Sequence, residues 1–160
     1  MSGLNVRLRR TLADQLARSG CLRSPAWRDA VEAVARERFL GSAIARATEH
    51  GDRWEVLRPE EMTTDEWLEL VYRDETWVTQ VDGVMAEDAY GLIQGAPTSS
   101  STLPGLVVRM LEAARISEGD KVLEVGTGAH RVLHRADVSP ARLQRRDLDR
   151  IRLGCGRPGP

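Results

Sequence analysis

Lysine is almost missing from this chain: Lys121 is the single one among 23 basic residues. An arginine bias of this kind is what a GC-rich coding sequence produces. Cysteine is limited to Cys21 and Cys155, which fit no metal spacing and do not demand a disulfide. Aromatic residues make up 4%, and Trp27, Trp54, Trp67 and Trp77 are expected in core and edge packing, with no base-stacking platform. No apolar run approaches the roughly 20 residues that a membrane-spanning helix needs. Arg7, Arg9, Arg10 and Asp14 interrupt the stretch where a signal peptide would carry its apolar segment. The expectation is therefore a cytoplasmic protein without a membrane partner.

What is present is an ordinary globular composition, 41% hydrophobic and 29% charged. A length of 160 residues allows one domain with a genuine core. The net charge of −1 conceals a split. Residues 129–160 hold eight arginines against three aspartates, a balance of +5, so residues 1–128 carry −6. No aromatic interleaves those arginines, and nucleic acid is not expected as a partner.

Hydrophobic spacing places the elements. Leu4, Leu8, Leu12 and Leu16 recur every four residues and predict a first helix that ends at Gly20. Ser24–Pro25 opens a second, running to about Phe39, with Ser24 able to cap and Pro25 suited to the first helical position. A third follows Thr63–Thr64, with Asp65 and Glu66 in its first turn and Trp67, Leu70 and Val71 buried. The charged residues on the opposite faces read as solvated surface. Thr76–Val81 alternates, is rich in β-branched residues and reads as a short strand closed by Asp82–Gly83. Gly95–Ser101 reads as a loop. Leu103, Val107, Met110, Leu111 and Ala114 predict the apolar face of a fourth helix, and Lys121–Val125 a short strand.

That strand runs into Gly126-Thr127-Gly128. Glycines at the carboxyl end of a strand let the backbone approach a ligand, the usual binding edge of open α/β sheets. The dinucleotide fingerprint G-x-G-x-x-G fails, because Arg131 stands at its last position. The methyltransferase form E/D-x-G-x-G-x-G is met by Glu124, Gly126 and Gly128, with His130 at its fourth position. An ordinary glycine turn after a strand reads equally well from these residues alone. His130 and His134 share a helical spacing, but two ligands without a third do not make a metal site.

Ser100-Ser101-Thr102-Leu103-Pro104, a helix, and then Gly119-Asp120-Lys121-Val122-Leu123-Glu124-Val125-Gly126-Thr127-Gly128 resemble the protein-L-isoaspartate O-methyltransferase pattern T-I-S-x-P, helix, G-x-x-V-L-E-I-G-T-G. Arg36-Glu37-Arg38-Phe39-Leu40 resembles that family's R-x-x-F-V, and Tyr72–Asp74 its Y-x-D. Relatives in peptide-modifying gene clusters have a similar serine-rich loop. The resemblance implies methyl transfer from S-adenosylmethionine to an isoaspartyl or aspartyl carboxylate of a protein or peptide. By position, Thr102 matches the family's active serine and Ser100 its threonine. Glu124, Gly126, Thr127 and Gly128 would hold the cofactor. Thr102 also reads as a helix cap, and Glu124 as a strand-end carboxylate.

The implied fold is α/β. A helical N-terminal region with a short strand (1–97) leads into the start of a doubly wound, Rossmann-like methyltransferase domain (98–128). Residues 129–160 form an Arg-rich tail expected to be disordered. The family pattern stops inside the glycine motif, and the tail is expected to derive from a truncated or frame-shifted gene, with activity impaired. The alternative from another class is a non-catalytic helical module that binds a peptide or its leader in a peptide-maturation system.

Overall fold

A computed structural model describes residues 3–49, 51, 53–116 and 120–123. Four helices, α1 (Gly3–Arg18), α2 (Pro25–Ala33), α3 (Thr64–Val71) and α4 (Pro104–Ala114), accompany six strands. The strands are β1 (Ile44–Ala47), β2 (Arg53–Leu57), β3 (Trp77–Val81), β4 (Val84–Met85), β5 (Leu92–Gln94) and β6 (Pro97–Ser101). Every strand pairing among the described residues is antiparallel. The architecture is mixed helix and sheet, the coarse part of the α/β reading; the sheet among the described residues is antiparallel and curled, with no doubly wound arrangement in it.

Strand order runs β4-β3-β1-β2-β5, with β6 added to β3. Only Gly95 and Ala96 separate β5 from β6, yet β5 pairs with β2 and β6 with β3. The chain can join those two places only if the sheet curls. Gly95 makes the corner at φ 143°, and a Cβ there would lie 2.3 Å from Asp82 Oδ2. Asp82 holds the other side of the corner. Its N–H donates to Ala96 O (2.9 Å), and its Oδ1 accepts the Ala96 N–H (3.0 Å). Asp82 and Gly83, both at positive φ, form the tight turn between β3 and β4.

Two cores result. The first lies between the helices and one face of the sheet: Leu12, Ala13 and Leu16 of α1 meet Trp67, Leu68 and Val71 of α3, Ile44 of β1 and Trp77 of β3. The second lies inside the curl and is built from small side chains, Ala43, Ala45, Val56, Val78, Val81, Ala86 and Ala89. Trp54 and Ile93 close it at the rim.

Several expectations are corrected. The helix from Ser24 ends at Ala33, because Val34 turns extended and the chain makes a separate turn over Arg36–Arg38. Ser24 is the N-cap residue, but its side chain makes no capping bond. Arg9 is not surface: it sits on the buried stripe of α1 beside Leu12, 5% exposed. Residues 97–101 are a strand, not a loop. Small hydroxylated side chains gave no apolar alternation, and β3 supplies the ladder. This strand spans the 97/98 boundary drawn from the sequence. β1, β2, β4 and β5, two to five residues each, were too short to carry a periodic signal. α3 opens with a capping box that the sequence reading did not name, the Thr63 hydroxyl accepting from the Glu66 N–H and the Glu66 carboxylate accepting from the Thr63 N–H (2.8 Å).

Candidate functional site

The segment that precedes β3 shapes the site. Arg36 donates from Nη1 to the carbonyls of Val71 (2.7 Å) and Arg73 (2.6 Å), and from Nη2 to that of Glu75 (2.9 Å). One guanidinium thus fixes three main-chain oxygens where α3 ends and the chain turns towards β3. Burial pushes its pKa down to about 10, opposed by the nearby Asp74 carboxylate, so it stays cationic at neutral pH. Next to it the Tyr72 hydroxyl donates to Glu37, which also accepts from Asn5 Nδ2 (2.8 Å). Burial, and then the Glu37 carboxylate, hold the Tyr72 phenol above its ordinary range. The two upstream segments that resemble the family, Arg36–Leu40 and Tyr72–Asp74, are therefore one contact in space.

What that contact holds is the start of α4. Asp74 Oδ1 accepts the Gly105 N–H (2.6 Å), and Thr76 Oγ1 accepts the Leu103 N–H (3.1 Å). These are two of the donors a helix start leaves open. A Cβ on Gly105 would lie 2.7 Å from Asp74 Oδ2, which is why glycine stands there. The reading of Thr102 as the cap is thereby corrected. The N-cap residue is Leu103, no side chain of its own position caps the helix, and the capping groups come from 27 and 31 residues upstream. Thr102 is left exposed just ahead of the helix.

The hydroxyl row lies on β6. Trp77 pairs with Ser101, Val78 with Ser100 and Gln80 with Ser99, with a bulge around Gln80. The buried Thr79 hydroxyl donates to Ser99 Oγ (3.1 Å). Thr98 Oγ1 donates to Gln80 Oε1 (2.9 Å) and accepts from the Gly83 N–H (3.1 Å). Among the described residues β6 pairs with β3 alone, so its other edge carries no strand. An open cleft of about 770 Å³ brings together Thr98, Ser99, Ser100 and Thr102 with Arg46 of β1, Trp54 of β2, and Trp77 and Val78 of β3. Trp54 is held in place by its Nε1–H, which donates to Gly95 O (3.0 Å). Ser100 and Thr102, the two candidate catalytic residues, thus share one cleft.

Glu124, Gly126, Thr127 and Gly128, the candidate cofactor residues, lie outside the described residues, as do Val125, His130, His134 and Cys155. Of the expected strand from Lys121, the described residues 121–123 carry no strand pairing, and Val122 and Leu123 are exposed. The predicted apolar face of α4 is corrected as well. The helix buries Gly105 and Val108, while Val107 and Met110 are 40% and 62% exposed and Leu106 joins them. The rotation follows from Asp74 and from Glu112. Glu112 Oε1 accepts the N–H groups of Arg23 (2.9 Å) and Ser24 (2.6 Å), so this side of α4 is pulled onto the turn between α1 and α2.

Sequence reasoning missed Thr76, Arg46 and Trp54, and met Asp74 only as the end of the Tyr72–Asp74 resemblance, without its role at α4. One signal was available: Gly105 in a first helical turn costs about 1 kcal/mol against alanine, which asks for a close neighbour. No group of three or more potential metal ligands occurs among the described residues. No helix among them is long and apolar enough to cross a membrane. No family model matches the chain, and no curated protein or solved structure matches it.

Proposed function

We propose that this chain is the substrate-binding side of an S-adenosylmethionine-dependent protein carboxyl methyltransferase of the isoaspartyl type. The observation that carries the reading is the placing of Ser100 and Thr102 in one open cleft; among the described residues β6 also has one edge without a strand partner. An extended peptide added along β6 would find main-chain groups for its backbone and hydroxyls for its carboxylate. The outward apolar side of α4 (Leu106, Val107, Met110) supports the second half of the reading. A doubly wound sheet beginning at Lys121–Val125 would pack there, with Glu124, Gly126, Thr127 and Gly128 at its binding edge.

The chemistry asks little of the protein beyond position. An aspartyl-type carboxylate has a pKa of about 4 and is ionised at neutral pH, so no strong base is needed. S-adenosylmethionine supplies the activated methyl group. Ser100 and Thr102 would orient the carboxylate oxygen in line with it, and the cleft walls would exclude water.

The test is a titration of the chain with two peptides that differ only in an isoaspartyl or an aspartyl residue, followed by tryptophan fluorescence. Methyl transfer from radiolabelled S-adenosylmethionine is measured in parallel. Preferential binding of the isoaspartyl peptide is expected, weakened about ten-fold in Ser100→Ala/Thr102→Val. Equal binding of the two isomers with no dependence on these hydroxyls removes the reading. A second reading, a non-catalytic peptide- or leader-binding module, draws on the same free strand edge. It predicts peptide binding with no methyl transfer at any cofactor concentration.

A further inference from the structure

Among the described residues the cleft is lined by one cation, Arg46. Arg46, the third residue of β1, stands opposite Glu55 on β2, and its Nη2 lies 2.6 Å from Glu55 Oε2. Glu75 is the one anion lining the cleft. The side chains of Arg46 and Glu55 are 47% and 46% exposed, and a pair this open is worth about 0–1 kcal/mol. The other well-placed arginines differ in kind. Arg36 spends its donors on three carbonyls, and so does Arg58, whose Nη2 reaches Glu87 O (3.0 Å), Ala89 O (2.6 Å) and Ala86 O. Those two hold the chain together. Arg46 makes one weak ion pair and has most of its five donors left for a ligand.

We infer that Arg46 is a specificity residue that binds a second carboxylate of the peptide, an acidic side chain flanking the residue to be methylated. The inference rests on the peptide reading of the cleft given above. A ligand carboxylate can take the guanidinium bidentately in exchange for a pair that costs little to open. Glu55 then acts as the internal competitor that keeps Arg46 extended over the sheet when no peptide is bound. Glu75 sets the polarity, disfavouring an acidic side chain at its own end of the cleft.

Two isoaspartyl peptides of equal length, one flanked by Asp and one by Asn, provide the test on the full chain. The Asp peptide is expected to bind about ten-fold more tightly at low salt. That preference shrinks when salt is raised to about 0.5 M. Arg46→Gln is expected to abolish the preference while leaving the Asn peptide unchanged, and Glu55→Gln to enlarge it several-fold. Both sites are on the surface of the sheet, so thermal melting of each variant should stay within about 3 °C of the parent. Equal weakening of both peptides by Arg46→Gln, or a preference that survives it, overturns the assignment and leaves the cleft a peptide site. If neither peptide binds the parent chain, the reading of the cleft falls, and this inference with it.

Discussion

The two cores are made differently. Between helices and sheet, the chain packs large side chains, with Leu16, Ile44 and Val71 fully buried and Trp77 1% exposed. Inside the curl, four of the seven buried residues are alanines, and the largest contributor, Trp54, stays at the rim. Apolar burial gives about 25 cal/mol per Å², so the first core supplies most of the stability and the second mainly lets strands approach. The cleft borders both, with Trp77 of the first core and Val78 and Trp54 of the second in its lining.

This contrast can be broken by substitution. The largest effect is expected from Leu16→Ala, about 3–5 kcal/mol in urea unfolding, because the helix–sheet core cannot collapse around the gap. Val78→Ala, in the curl, should cost about 1–2 kcal/mol. If the two losses are equal, the cores are not different in kind. Next comes Arg36→Ala, which leaves three carbonyls without their donor and should cost about 3 kcal/mol by the same measurement. Asp74→Ala should follow at about 1 kcal/mol, whereas Thr102→Ala should stay within about 0.3 kcal/mol. The reverse order would return the capping role to Thr102.

The smallest expected effect is on pH dependence. The Thr63 hydroxyl and then its N–H hold Glu66 below its usual range, and the Ser24 and Arg23 N–H groups do the same to Glu112. A depressed carboxylate adds stability above its unfolded value of about 4.3, and that stability is lost as pH falls through the folded value. Melting temperature should therefore drop below about pH 4, and Glu66→Gln with Glu112→Gln should flatten that acid limb. An unchanged limb would show that these caps carry no net charge effect.

Much of the helical half was legible. The four-residue spacing of Leu4 to Leu16 and the helix start at Thr63–Thr64 report on nearest neighbours, and neighbours decide helices. The Asp82–Gly83 turn was legible for the same reason. The sheet was not, because β1 and β5 are stabilised by partners far along the chain and carry almost no periodicity of their own. Pro97–Ser101 shows this most clearly, since nothing in Pro-Thr-Ser-Ser-Ser asks for a strand until Trp77–Val81 lies beside it. At the site, sequence found the hydroxyls but mistook what caps the helix. Asp74 and Gly105 are 31 residues apart, and their 2.6 Å contact exists only after folding.

The scarcity of lysine has a practical consequence. Lys121 is exposed seven residues beyond the end of α4 and directly before the segment that leads to the glycine loop. Apart from the chain's own amino terminus, an amine-directed dye has no other side chain to react with. With the amino terminus blocked and Trp27, Trp67 and Trp77 replaced by Phe, one fluorophore on Lys121 serves as an acceptor for Trp54 at the cleft. The distance between the cleft and the start of the proposed cofactor half then becomes a solution measurement.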